Sequence, residues 1–375
     1  MEIKNKRYKE KTMKRVIFSM IVLMLGLSTI VSANEPIGVF ANLNTNCIQF
    51  IDPTTNNVSD HLFKGELGHY GGGLLDVVIT SNGKTAIVSN FGDSKIFFID
   101  ISGGFNAQPT LLGSTFVSLF AEDMAITPDD RYVLVTDGGL SSRIAVVDIA
   151  SRTLVYIQNI GGSDAQAIAI TPDGQLVLVA DYLGGQIHSY TIDSNGYLSF
   201  KETQNVLPSW PVNLAISPDG KTVIVPSAFR STAPVFLIDS QHNLVFKELI
   251  SLPARGAQSC VFSSDGTKAY LLTNGNPGLG TQVHIMNVTS PGKVSASGTS
   301  IQVTPARGTG QFFGVDTIAL DPSEHYLYVT NPTSFGVTVG ISVIDLTINT
   351  EVEHIKGIGI PTGITFATIK SDNHE

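Results

Sequence analysis

Short runs of Val, Ile and Leu recur along this chain, and pairs of them flank a repeated small, polar tetrapeptide. The copies are Thr80-Ser81-Asn82-Gly83, Thr127-Pro128-Asp129-Asp130, Thr171-Pro172-Asp173-Gly174, Ser217-Pro218-Asp219-Gly220, Ser263-Ser264-Asp265-Gly266 and Asp321-Pro322-Ser323-Glu324. Their spacings are 47, 44, 46, 46 and 58 residues, a period that belongs to propeller blades or to helical repeats. Turn chemistry separates the two. Pro sets φ for the first corner, Asp bonds its own backbone and Gly takes positive φ, which together make a tight turn between strands. No 3.6-residue apolar period lies between the copies, so the repeat unit is all β.

One unit shows the whole pattern. Gln166 to Ile170 predicts a strand, Pro172-Asp173-Gly174 turns it, and Leu176 to Ala180 returns. A loop from Tyr182 to Gly185 leads to a third strand, Gln186 to Ile192; Ser194-Asn195-Gly196 turns again, and Leu198 to Thr203 closes the unit. This is a four-stranded antiparallel meander. A twisted sheet of this size must bury both faces, and radial stacking on its neighbours does so.

Two further markers count the units. A polar residue ends each second strand (Asn42, Asn90, Asp137, Asp181, Ser227, Asn274, Asn331), and another ends each third strand (Asp52, Asp100, Asp148, Asp193, Asp239, Asn287, Asp345). Both series have seven members, which predicts an all-β, seven-bladed β-propeller. The tetrapeptide occurs six times because the chain enters on a second strand, Ile37 to Ala41, and leaves on a first strand, Gly363 to Ile369. Pairing the C-terminal strand with the N-terminal ones would complete the seventh blade and remove the exposed edges.

The first 33 residues stand outside this pattern. Seven Lys or Arg against two Glu occupy residues 1 to 15, an apolar stretch runs from Val16 to Val31, and Val31-Ser32-Ala33 offers small side chains for cleavage. Residues 1–33 are therefore expected to be a signal peptide, with Met13 an alternative start, and 34–375 a single propeller domain. The expected location is secreted, periplasmic or cell surface, with no stable membrane insertion after cleavage; no later segment is apolar enough to span a bilayer. Removing the leader leaves 16 Lys and Arg against 30 Asp and Glu, a formal net charge of −14 instead of −9. Such a surface repels phosphate backbones, which excludes nucleic acid as a partner. The two cysteines, Cys47 and Cys260, fall in non-adjacent blades and read as small buried hydrophobes rather than a disulfide.

Tyr328-Val329-Thr330-Asn331 and its variant Tyr132-Val133-Leu134-Val135-Thr136-Asp137 resemble the signature of the YVTN-repeat, lactonase-like propeller superfamily. The resemblance covers nearly all of the mature chain. It implies a seven-bladed disc, but that superfamily embraces binding proteins, surface-layer proteins and enzymes, so the fold does not fix the function. Members related to 6-phosphogluconolactonase tend to carry Pro-Arg-His entering a first strand and Ser-Asn-Arg-Gly after a second. Here Ser89-Asn90-Phe91-Gly92 has Phe91 in place of the arginine, and no first strand follows Pro-Arg-His.

Candidate chemistry lies where the first strands meet the central channel. Four residues before each tetrapeptide, the usual small residue is replaced by Asp76, Asp123, Asn213, Ser259 and Thr317, while Ala167 and Gly363 keep it small. The preceding position adds Glu122, Gln166, Gln258 and Asp316. Oxygen donors at similar depth suit a hard cation, and Asp76, Asp123, Asn213 and Asp316 are the expected ligands of a Ca²⁺ ion. Water and backbone bonding in a wet channel would use the same side chains. On the same face, His69, Glu122, Gln166, Trp210, Arg255 and Gln258 are expected to contact a small-molecule, sugar or peptide ligand, or another envelope protein. Arginine beside Asp123 or Glu122 would serve equally as a structural ion pair. His69 near Asp76 is a candidate general base. The function expected from these features is a binding or protein-interaction module of the cell envelope, with a lactonase-like hydrolase as the alternative.

Overall fold

The structure is a computed structural model and describes residues 34–69, 73–117, 120–139, 142–206, 209–274, 280–304, 317–331 and 339–371. The expected leader, and Asp316 among the expected cation ligands, lie outside these residues. The described chain is all β: seven blades of four antiparallel strands surround a channel. Blade 1 combines Glu35–Asn42, Cys47–Asp52 and Asn57–Val58 with Pro361–Ile369. Blades 2 to 7 follow in chain order and open on Leu74–Ile79, Ala121–Ile126, Ala165–Ile170, Trp210–Pro211, Ala257–Phe262 and Ile318–Leu320. The closure expected from the sequence is present, with Glu35 opposite Ile369 and Phe40 opposite Ile364.

Alternating apolar positions on the strands fill seven buried layers, one between each pair of neighbouring blades. At the seam between blades 1 and 2, Ile37, Val39, Phe50, Leu74, Val77 and Val88 are almost fully buried. Side chains of this size contribute roughly 1.5–3 kcal/mol each on burial. Cys47 and Cys260 are buried and free. The Tyr-Val-Thr-Asn signature serves both sides of blade 7, with Val329 in the layer against blade 6 and Tyr328 in the layer against blade 1. Tyr328 is fully buried, donates its hydroxyl to Asn56 Oδ1 at 2.6 Å and lies 4.6 Å from the Phe366 ring. Thr330 donates to the carbonyl of Thr362 in the next blade at 2.6 Å, and Asn331 donates to Ser342 Oγ.

The tetrapeptide turns interlock around the ring. Within a turn the first hydroxyl bonds the Asp two residues on, as in Thr127 to Asp129 and Thr171 to Asp173, both at 2.6 Å. Between turns, the Gly of one blade rests on the Pro of the blade before. A β-carbon on Gly174, Gly220 or Gly266 would lie 3.3, 3.4 or 3.5 Å from the Cδ of Pro128, Pro172 or Pro218. Where Ser replaces Pro, a backbone N–H becomes free to donate, and an acid stands in the next blade's Gly position to accept it. Asp130 accepts from Ser81 N (2.9 and 3.0 Å) and Ser81 Oγ (2.7 Å), and Glu324 accepts from Ser264 N (2.5 Å). Both acids hold φ near +56°, a conformation non-Gly residues adopt at a cost of roughly 1–2 kcal/mol.

Blade 5 departs from the regular meander. Its first strand is split into Trp210–Pro211, paired with Ser227–Ala228, and Ala215–Ile216, paired with Thr222–Ile224. The ladder is interrupted at residues 212–214 and 225–226, where Pro226 accepts the N–H of Val212 but has no N–H to return. Asn213, expected in register on an unbroken first strand, lies in the gap, 1% exposed.

Candidate functional site at the channel mouth

The first strands of blades 2 and 3 each carry a bulge where the channel residues stand. The register steps from Leu74 opposite Asn90 to Val77 opposite Val88, and from Ala121 opposite Asp137 to Met124 opposite Val135. A bulge re-aims the side chains on either side of it. The second strand supplies a hydroxyl in compensation: Asp76 N donates to Ser89 Oγ and Asp123 N to Thr136 Oγ1.

The structure gives Asp76 and Asp123 a structural use. Asp76 Oδ2 accepts the N–H of Met124 at 3.1 Å, and Asp123 Oδ2 accepts the N–H of Ile168 at 2.8 Å, so each carboxylate ties its blade to the next. At the seam between blades 1 and 2, Gly363 leaves no room for a side chain: a β-carbon there would lie 2.7 Å from Asp76 Oδ1. Among the described residues no three His, Cys, Asp or Glu side chains converge as a metal site.

Glu122, Gln166 and Asp164 do come together. Gln166 donates through Nε2 to Glu122 Oε2 at 2.9 Å and, more weakly, to Asp164 Oδ1 at 3.4 Å. Gln166 is 5% exposed, and its Oε1 has no hydrogen-bond partner. Burial pushes the Glu122 carboxyl well above the usual carboxylate range, and the negative charges of Asp164 and Asp137 push it further. Burial likewise pushes Asp164 up to about 6, opposed by the Gln166 hydrogen bond and reinforced by Asp181 and Asp137. Gly138 makes the close packing possible, since a β-carbon there would fall 2.0 Å from Glu122 Oε2 and 2.9 Å from the Phe91 ring.

The polar ends of the second strands hold the loops around this cluster. Asp137 accepts from Phe120 N and Gly139 N and forms an ion pair with Arg143 at 2.7 Å, so this arginine is a structural partner. Asp181 accepts from the backbone of Ser163, Asp164 and Gly184, and His188 Nε2 lies 3.5 Å away. Burial alone would raise Asp181, but these donors outweigh it and hold the carboxyl below its ordinary value. Beside the cluster, Phe91 and Phe120 stack with centroids 5.1 Å apart; Phe120 is 48% exposed and offers an aromatic face.

The other expected contact residues are distributed around the same rim. His69 is 94% exposed at its side chain and stands beside Asp93, with Nδ1 3.7 Å from Oδ2; its carboxylate partner is therefore Asp93 instead of the expected Asp76. Trp210 meets Phe229 edge-on at 6.4 Å and carries Arg230 over its ring at 5.2 Å. Arg255 is exposed and Gln258 buried. Sequence reasoning named Glu122 and Gln166 but missed Asp164, which lies in a loop before the strand register begins. The signal was available: residues 164 and 166 share one side of an extended chain.

A carboxyl whose ionised form burial disfavours, a second pushed up to about 6 and an amide between them can orient and polarise a water molecule or a small polar ligand. An aromatic face next to such a group suits the C–H face of a ring bearing hydroxyls. Seven blades of this connectivity make a seven-bladed β-propeller, a fold that does not fix the function. The family model described as "Lactonase, 7-bladed beta-propeller" matches residues 157–248, the stretch that carries Asp164, Gln166 and Trp210. No curated protein matches the sequence significantly. Among solved structures, a functionally unknown protein from Desulfotomaculum acetoxidans is similar with a TM-score of 0.75 at 19% identity, covering 88% of this chain and 98% of that one. A periplasmic gluconolactonase of Pseudomonas aeruginosa gives 0.69 at 16% identity (89% and 99% covered), and a putative 6-phosphogluconolactonase of Bacteroides fragilis gives 0.70 at 16% (90% and 99%). These likenesses establish the shared fold.

Proposed function

We propose that this protein is a lactonase-like hydrolase that opens a small cyclic ester at the channel mouth, with water activated at the Glu122–Gln166–Asp164 cluster. The observation that carries the reading is the cluster itself, two carboxyl groups with raised pKa joined through one amide. The lactonase family match over blades 4 and 5 supports the reaction class. In the reaction, the water oxygen adds to the ester carbonyl carbon and gives a proton to the cluster. The ring C–O bond then breaks, the ring oxygen takes a proton to become a hydroxyl, and the hydroxy acid leaves. The Phe91–Phe120 stack would receive the ring. Export by the N-terminal leader belongs to the same proposal, and N-terminal sequencing of the protein released by its native host tests it.

The hydrolase reading is tested with gluconolactone and a panel of simple γ- and δ-lactones, following acid release at constant pH. Turnover well above buffer hydrolysis is expected, reduced about 100-fold or more by Asp164→Asn and by Glu122→Gln, in keeping with the loss of one acid–base group. A folded wild-type protein that accelerates none of them overturns the proposal. Phe91, where 6-phosphogluconolactonase relatives tend to carry arginine, favours a second reading in which the mouth binds its ligand without turning it over. That reading predicts saturable quenching of the single Trp210 by a lactone or aldonate with no acid release.

A further inference from the structure

The break in the first strand of blade 5 ends at an aromatic corner. Trp210, the only tryptophan of the chain, stands opposite Ala228, and the next residue, Phe229, turns its backbone to φ +61° with its side chain 53% exposed. A bulky side chain in that left-handed region costs backbone energy, and the exposed ring gains little burial in return; it meets Trp210 edge-on instead. Strain of this kind persists where the surrounding structure makes use of it. Arg230 lies over the Trp210 ring, and the loop entering blade 6 brings a second arginine beside it. Leu252 N donates to the carbonyl of Ser231 at 2.8 Å, and Gly256 N to that of Arg230 at 2.9 Å. The Gly256 carbonyl in turn accepts from Asn274 N at 3.0 Å and from Gln258 Nε2 at 3.4 Å. These bonds fix the backbone on which Arg255 stands, next to that of Arg230. Both arginines are exposed, and among the described residues no carboxylate pairs with Arg255. In a chain with 32 Asp and Glu against 23 Lys and Arg, two cations held side by side depart from the rest of the surface, and an anion between them relieves their repulsion.

We infer that Trp210, Phe229, Arg230 and Arg255 form a binding subsite for a sugar acid, a ring or polyol that carries one carboxylate. The guanidinium fork meets a carboxylate with two parallel N–H···O bonds, and the aromatic corner covers the C–H face of the attached ring. A monoanion suits this rim better than a phosphate dianion, because the net charge of −9 opposes the approach of each further negative charge. The subsite needs no turnover and is independent of the hydrolase reading. If the Glu122–Gln166–Asp164 cluster does open a lactone, the hydroxy acid it releases belongs to the same ligand class.

The test is equilibrium binding of D-glucuronate to the full chain at low ionic strength, followed by Trp210 fluorescence and by calorimetry, with D-glucose and inorganic phosphate as comparisons and no lactone present. Saturable binding with a Kd of about 1 mM or tighter is expected for glucuronate, and binding about 10-fold weaker or less for glucose and phosphate. Arg230→Gln and Arg255→Gln should each weaken glucuronate binding about 10-fold or more, with Arg230→Lys in between because it keeps the charge and loses the fork. Lys221→Gln on the turn face should leave it unchanged. Phe229→Gly removes the backbone cost, so it should weaken binding while melting within about 2 °C of the wild type. A Phe229→Gly protein that melts far lower would show that the residue serves folding and overturns its place in the subsite. No saturation at about 20 mM glucuronate, glucose or phosphate bound as tightly, or binding indifferent to both arginine substitutions overturns the inference. Glucuronate binding without lactone turnover sinks the hydrolase reading alone. Lactone turnover without glucuronate binding sinks the subsite alone.

Discussion

The two faces of the disc are built on opposite plans. On the turn face blades 2 to 7 repeat the same few residues, and from blade 3 onward each turn is supported by the turn before it, either Gly on Pro or an acid on a free N–H, while Gly83 of blade 2 rests on the backbone of Thr368. On the mouth face the corresponding positions have diverged: Asp76, Asp123, Ala167, Asn213, Ser259, Thr317 and Gly363 occupy one register. Many small equivalent contacts hold the first face, whereas the second depends on a few buried side chains that each serve several loops. Divergence of that kind leaves a stable disc with one rim free to acquire chemistry.

The largest effect expected from this contrast falls on Asp181. Asp181→Ala strands the backbone donors of Ser163, Asp164 and Gly184 and leaves His188 without its acid, and should cost about 3 kcal/mol or more in denaturant unfolding. A loss under about 1 kcal/mol would mean that the mouth loops are held as redundantly as the turns.

Acid should separate the faces next. Burial pushes the His284 imidazole down from its ordinary 6.5 to about 4, where it links Thr273 and Ser300 on the mouth side of blade 6. As pH falls from 6.5 toward 4, the unfolded chain takes up a proton that the folded one refuses. Stability therefore drops, by up to about 3 kcal/mol at the lower limit. His284→Gln should flatten that window in thermal melts taken from pH 7 to pH 4. The turn aspartates Asp129, Asp173 and Asp265 lie below their ordinary values, so their contribution persists through the same window and fails at lower pH.

The smallest effect sharpens the pairing of turns. Ser81→Pro removes the N–H that Asp130 accepts and should cost about 1–2 kcal/mol. Adding Asp130→Gly recreates the Pro-on-Gly contact of the neighbouring seams and should recover at least half of the loss. Strictly additive costs in the double variant would show that the two turn chemistries are independent.

Much of this fold was legible because propeller turns need particular residues: Pro, Asp and Gly fix the corners, and the polar ends of the second strands must accept loop N–H groups. Those requirements counted the seven blades and closed the ring. Blade 5 was not legible in the same detail, because the missing N–H of Pro226 acts across the strand pair and the repeat period does not register it. The site was legible in part. Glu122 and Gln166 stood in the channel register, but Asp164 lies outside it, and a sequence cannot distinguish an aspartate that binds a ligand from one, such as Asp76 or Asp123, that receives the next blade's N–H.

The pairing of Glu35–Asn42 with Pro361–Ile369 brings together segments more than three hundred residues apart. Until that late strand emerges during synthesis, blade 1 lacks its inner strand and the ring cannot latch. A growing chain of this design stays open and threadable for almost the whole of its translation, then locks in a single final step of high contact order.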